Sequence, residues 1–124
     1  MSQDVVSDAL NQMMNAVRAG KSFVEIKRHS KLLLSILAIA KLKGYVTAYK
    51  VDSNILKVEM ANIHGCGAIK PRFTIYAEDI DTYVSRYLPA KHIGTLIIAT
   101  SQGLITHQTA IEKKIGGSLI AYIF

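Results

Sequence analysis

Apolar positions along the chain follow two rhythms. Val6, Leu10, Met13 and Val17 recur every three or four residues. That spacing predicts a helix over residues 4–19, with Asp4 as its N-cap and Gly20 as its stop. "SFVEIK", residues 22–27, reads as a short strand. Leu33, Ile36, Leu37 and Ala40 then form the buried face of a second helix, from Lys31 to about Lys43. Ser30 is placed to cap it and Gly44 to end it. "YVTAYKV" and "ILKVEMA" follow as strands around a turn at "DSN", 52–54. In the second of these, Leu56, Val58 and Met60 alternate with Lys57, Glu59 and Ala61, the period of a half-buried strand. The first lobe is thus α-β-α-β-β.

The stretch "NIHGCGAIKPRF", 62–73, places two glycines and a proline within seven residues. It marks the boundary between lobes spanning 1–62 and 63–124. A third helix is expected from about Glu78 to Leu88, with Ile80, Val84, Tyr87 and Leu88 inward and Pro89 as its stop. The acids of "AEDID", 77–81, read as a capping device that suits the helix dipole. "IGTLIIAT", 93–100, is an apolar strand. Thr106 is expected to cap a short fourth helix to about Ile115, which Gly116 and Gly117 terminate, and "SLIAYIF" closes the chain as a strand. The pattern therefore predicts an α/β (α+β) protein whose second lobe is mainly β with two short helices.

Composition narrows the function. Half of the 124 residues are hydrophobic, enough for a packed core and against disorder. No apolar run reaches the length of a membrane span. The start "MSQDVVSDAL" lacks the basic residues and long apolar core of a secretory signal, which points to a cytosolic setting. The single cysteine, Cys66, excludes an internal disulfide. Fifteen Lys and Arg stand against nine Asp and Glu, a formal charge of +6. That balance favours a polyanionic partner, with nucleic acid ahead of an anionic membrane surface. "KRHSK", 27–31, concentrates cations in the first lobe.

The densest polar cluster is Thr100, Ser101, Gln102 and Gly103, directly after an apolar strand. It lacks the first glycine of a hydrolase elbow, and although His107 is near in sequence and His64 and His92 could approach in space, neither point makes a triad. One glycine without a lysine does not make a phosphate loop. His64 and Cys66 do not complete a zinc site, so no metal or cofactor is expected. Hydroxyls and amides on a tight turn suit unpaired bases, ribose and phosphate, with glycine admitting close backbone approach. From the residues alone, that reading and an ordinary polar turn capped by Thr106 stay equally open.

The run "ATSQGLITHQTAIEKKIGGSLIAYIF" resembles the signature of the eighth small-subunit ribosomal protein family. "GKSFVEIKRHSKLLLSIL" and Asn15 match its first lobe. "CGAIKPRF" and "RYLPAKHIGTLI" look like its archaeal and eukaryotic branch, and the archaeal form most. The resemblance implies a two-lobe, non-catalytic protein of the ribosome that binds the central domain of small-subunit rRNA and acts in assembly beside neighbouring ribosomal proteins. Some members also bind their own messenger RNA. It implies that Thr100, Ser101, Gln102 and Gly103 read an irregular rRNA helix, supported by Thr106, Gly116 and Gly117, with Ser118 following. Ser30 and Lys31 would face RNA backbone. Arg28, Lys27, Lys70 and Arg72 are candidates for phosphate attraction, from charge and position. Ala99 stands where the family often has serine, and Ser118 where it often has a charged residue.

Overall fold

The computed structural model describes residues 5–69, 74–90 and 93–124. The chain divides into two compact units that meet between Gly67 and Ala68. Among the described residues, four α-helices and antiparallel sheets make the fold α+β.

In the first unit, α1 (Val5–Arg18) packs its buried Val6, Leu10 and Met13 inward. Its C-terminus closes by bonds from Gly20 N–H to Val17 O and from Lys21 N–H to Ala16 O. This is the paired C-terminal cap that a left-handed residue at Gly20 permits. Strand β1 (Phe23–Ile26) leads to α2 (Lys31–Leu42), where the Ser30 hydroxyl accepts Leu33 N–H at 3.2 Å. Strands β2 (Val46–Asp52) and β3 (Ile55–Met60) complete a sheet of order β1-β3-β2. The β2–β3 turn holds Ser53 and Asn54 at φ 52° and 65°, as a two-residue hairpin loop requires. The α-β-α-β-β order holds.

Cys66 begins β4 (Cys66–Ala68) and is buried. Its thiol donates to Leu10 O at 3.5 Å, and burial pushes its pKa up to about 11, against a smaller lowering by Arg18. A native thiol protonated throughout the neutral range should resist alkylation at pH 7.5 until the chain is unfolded in urea. In the folded chain the thiol keeps its proton where the unfolded chain has lost it, so this group favours folding less as pH climbs from about 9 toward 11. Rapid alkylation of the folded protein would contradict the burial.

In the second unit β5 (Thr74–Ile75) leads into a 3-10 turn (Ala77–Asp79) and α3 (Ile80–Tyr87). Then come β6 (Thr95–Thr100), β7 (Gly103–Thr106), α4 (His107–Lys113) and β8 (Gly117–Ile123). Strand β8 pairs with β6, β6 with β7, and β5 lies along β8 on its other side. Ile80, Val84 and Leu88 pack with Leu96, Ile98 and Leu119 in one core.

Three expectations need correction. Thr106 does not follow a simple turn: Gly103–Thr106 forms a strand before the helix begins. The acids at 77–81 cap nothing through their side chains, for neither the 3-10 turn nor α3 has a side-chain cap bond. Their effect is confined to the helix dipole. Finally, Gly116 and Gly117 do not end α4. Lys114 does, in the left-handed conformation at φ 57°, with its N–H bonded to Ala110 O and Ile111 O.

Candidate RNA-contacting surface

The polar cluster is the tip of a β-hairpin. Strands β6 and β7 pair from Ile97↔Thr106 up to Thr100↔Gly103, leaving Ser101 and Gln102 at the turn. Gly103 has φ +103°, while neither Ser101 nor Gln102 has a positive φ. This is the dihedral pattern of a type I turn closed by a bulge glycine. A Cβ on Gly103 would meet nothing within 4 Å, so its backbone dihedral is what calls for glycine there.

The Thr100 hydroxyl is used internally. It donates to Gly103 O at 2.9 Å and accepts Gln102 N–H at 3.1 Å. The Ser101 and Gln102 side chains are exposed and have no hydrogen-bond partner among the described residues. One hydroxyl thus stiffens the tip, and a second hydroxyl and an amide are left to face outward.

Gly117 lies against β6 just below the hairpin tip. A Cβ there would fall 2.4 Å from Ala99 O and 3.0 Å from Thr100 Cγ2. One at Gly116 would fall 2.4 Å from Ile75 O. The Gly-Gly pair is therefore a packing requirement across β8. Ser118 pairs with Ala99 and with Thr74, its hydroxyl 3.5 Å from that of Thr74. Thr106 sits at the opposite end of the hairpin, 7% exposed. Its hydroxyl accepts Thr109 N–H at 3.3 Å, so it anchors α4 and is remote from the tip.

His107 is buried, and its Nδ1 accepts Leu96 N–H at 3.1 Å. It stands beyond the Ile97↔Thr106 end of the ladder, whereas Ser101 is at the closed end. About five residues of strand, roughly 15 Å, separate them. The arrangement does not bring His107 to Ser101 as a base. Among the described residues, no group of three or more His, Cys, Asp or Glu could hold a metal.

The family model for ribosomal protein S8 matches residues 4–124. Across 129 aligned residues the chain is 40% identical to the small ribosomal subunit protein uS8 of the archaeon Nanoarchaeum equitans, with both chains covered in full. The chain belongs to the ribosomal protein S8 family. Membership makes it a structural ribosomal protein, and the archaeal relative agrees with the branch that its motifs resemble.

Within this S8-family chain, the first unit gathers a second set of candidates around the start of α2. Ser30 is the N-cap, and Lys31, the first helical residue, is exposed. Lys27 is exposed just past β1, and Arg28 reaches Asp8 at 3.7 Å. Such an exposed pair contributes little to stability. Asn15 lies apart from them, seven residues along α1 from Asp8, or about 10 Å of helix rise. It lines an open cleft of about 420 Å³ with Gln12, Lys21 and Glu25. Lys70 and Arg72 lie outside the described residues. No helix is long and apolar enough to cross a membrane among the described residues.

Proposed function

We propose that this protein is a structural component of the small ribosomal subunit. It binds the central domain of small-subunit rRNA and supports its assembly beside neighbouring ribosomal proteins. The observation that carries the reading is the hairpin tip: Ser101 and Gln102 are exposed and unpartnered, on a turn already held rigid by Thr100 and Gly103. A preorganised tip loses little freedom on binding, so its contacts count nearly in full. Its size and polarity suit the base edges and 2′-hydroxyls of an irregular helix. Lys31, Lys27 and Arg28 supply attraction to phosphate that does not depend on sequence.

Ser101→Ala should weaken binding to the cognate rRNA by about 1–3 kcal/mol and leave binding to an unrelated RNA duplex unchanged. Lys31→Ala should weaken both and reduce the salt slope by about one phosphate's share. Filter binding across a salt series measures both effects. Equal losses on the two RNAs for Ser101→Ala would remove the tip as the source of specificity. In cells, crosslinking and sequencing of bound RNA should recover small-subunit rRNA. Recovery of messenger RNA without rRNA would overturn the reading.

A further inference from the structure

Tyr76 has no evident work inside the fold. It is 71% exposed. It is the N-cap of the 3-10 turn through its backbone alone, its carbonyl accepting Asp79 N–H at 3.0 Å, and among the described residues its side chain makes no hydrogen bond or ring contact. The other tyrosines of the second unit behave differently. Tyr87 and Tyr122 stack at 5.8 Å, and Tyr83 lies beneath Arg86 at 5.2 Å.

Its position is set by the sheet. Thr74 and Ile75 pair with Ser118 and Gly117, and Ala99 pairs with Ser118. Two positions on from Thr74, Ser118 and Ala99, the residues Tyr76, Gly116 and Ser101 reach the same edge. Gly116 is what lets the Tyr76 segment sit so close, for a Cβ there would be 3.1 Å from Tyr76 Cα. Strands β5 and β6 flank β8, so two strand spacings, about 10 Å, separate Tyr76 from the hairpin tip. That is about three base rises along a nucleic-acid strand. Exposed Lys113 and Lys114 end α4 two to three residues before Gly116. Exposed Glu78 and Asp79 follow Tyr76 with the opposite sign. Among the described residues these two cations and two acids offset each other, and what this corner adds is an aromatic face.

We propose that Tyr76 is a second base-contacting residue, stacking on an unpaired base of the same rRNA element that the hairpin reads. Stacking on an exposed ring is how proteins hold splayed bases, and it does not depend on the phenol hydroxyl. The proposal rests on the rRNA-binding reading, and its test separates the two. The full chain and its Tyr76→Ala, Tyr76→Phe and Ser101→Ala variants are titrated with the cognate small-subunit rRNA across a salt series. Thermal unfolding of each variant is followed in parallel. Tyr76→Ala should bind about tenfold more weakly, with an unchanged salt slope and an unchanged melting temperature. Tyr76→Phe should bind like the native chain. Native affinity in Tyr76→Ala, or equal loss in Tyr76→Phe, would overturn the stacking role. The hairpin reading would survive either result provided Ser101→Ala still loses affinity. Failure of the native chain to bind the rRNA would overturn the functional reading itself.

Discussion

Gly117→Ala should destabilise the second unit by about 2–4 kcal/mol, a cost at the upper end of overpacking a tight site. The added Cβ would lie 2.4 Å from Ala99 O and 2.8 Å from Ile98 Cγ2. Neither neighbour can yield cheaply. Ala99 is held in register with Ser118 on one side and Leu104 on the other, and Ile98 is fully buried in the core. Gly117 has no positive φ, so the penalty is one of space and not of backbone conformation. The strain falls on the residues that carry the hairpin, so rRNA affinity should drop even at temperatures where the variant is folded. Urea unfolding should show a lower midpoint with the same slope. An unfolding free energy within about 0.5 kcal/mol of the native protein's would show that β6 and β8 separate readily, and that the tip is not rigidly seated.

The contrast with Gly103 explains what could be read from the sequence. A glycine between a polar turn and an apolar pair is a local signal, and it does mark a turn. Gly116 and Gly117 give the same local signal next to a helix, so they read as its stop. What they respond to is Ile75 and Ala99, residues about forty and eighteen positions away, and no local rule sees that distance. The true stop, Lys114 at φ 57°, carries none of the expected glycine or asparagine. The first unit was legible because its helices carry a clear apolar stripe and its strands alternate. Strand β5, with two residues, is too short to show a period, and β7 sets Leu104 and Ile105 side by side, so no alternation marks it.

The candidate site divides in the same way. Thr100, Ser101, Gln102 and Gly103 stand out as a cluster by composition. Their division of labour does not, because it depends on which hydroxyl the hairpin closure consumes. Thr100 is drawn inward by Gly103 O and Gln102 N–H, which leaves Ser101 outward. Tyr76 does not stand out in the sequence for a related reason. In sequence it is one aromatic before an acidic run, and only the β5–β8 pairing brings it to the edge that carries Ser101.

His107→Leu should cost about 2–4 kcal/mol, although the substitution keeps an apolar side chain of similar bulk in a buried place. The chain leaves the sheet at Thr106 to begin α4, so β6 runs on past the end of β7. Leu96 N–H, which would otherwise meet a strand there, is received by His107 Nδ1 at 3.1 Å. Because a backbone N–H can only donate, Nδ1 carries no proton, and in the neutral ring the hydrogen resides on Nε2. Leucine removes the acceptor and leaves a buried amide unpaired, which alone costs about 1–3 kcal/mol. Loss of the ring's fit in the core accounts for the rest. His107→Asn retains an acceptor oxygen at the same branch and should recover part of the loss. Amide hydrogen exchange supplies the specific readout: Leu96 N–H should be strongly protected in the native chain and should exchange far faster in His107→Leu. If both variants kept native stability and Leu96 protection, the imidazole would not be the group that closes the end of β6. The result also bears on the hairpin, since the ladder that His107 closes beyond Thr106 starts at Thr100, next to Ser101. Fraying at the open end should lower rRNA affinity less than Ser101→Ala does, because the tip is closed by its own bonds at Thr100.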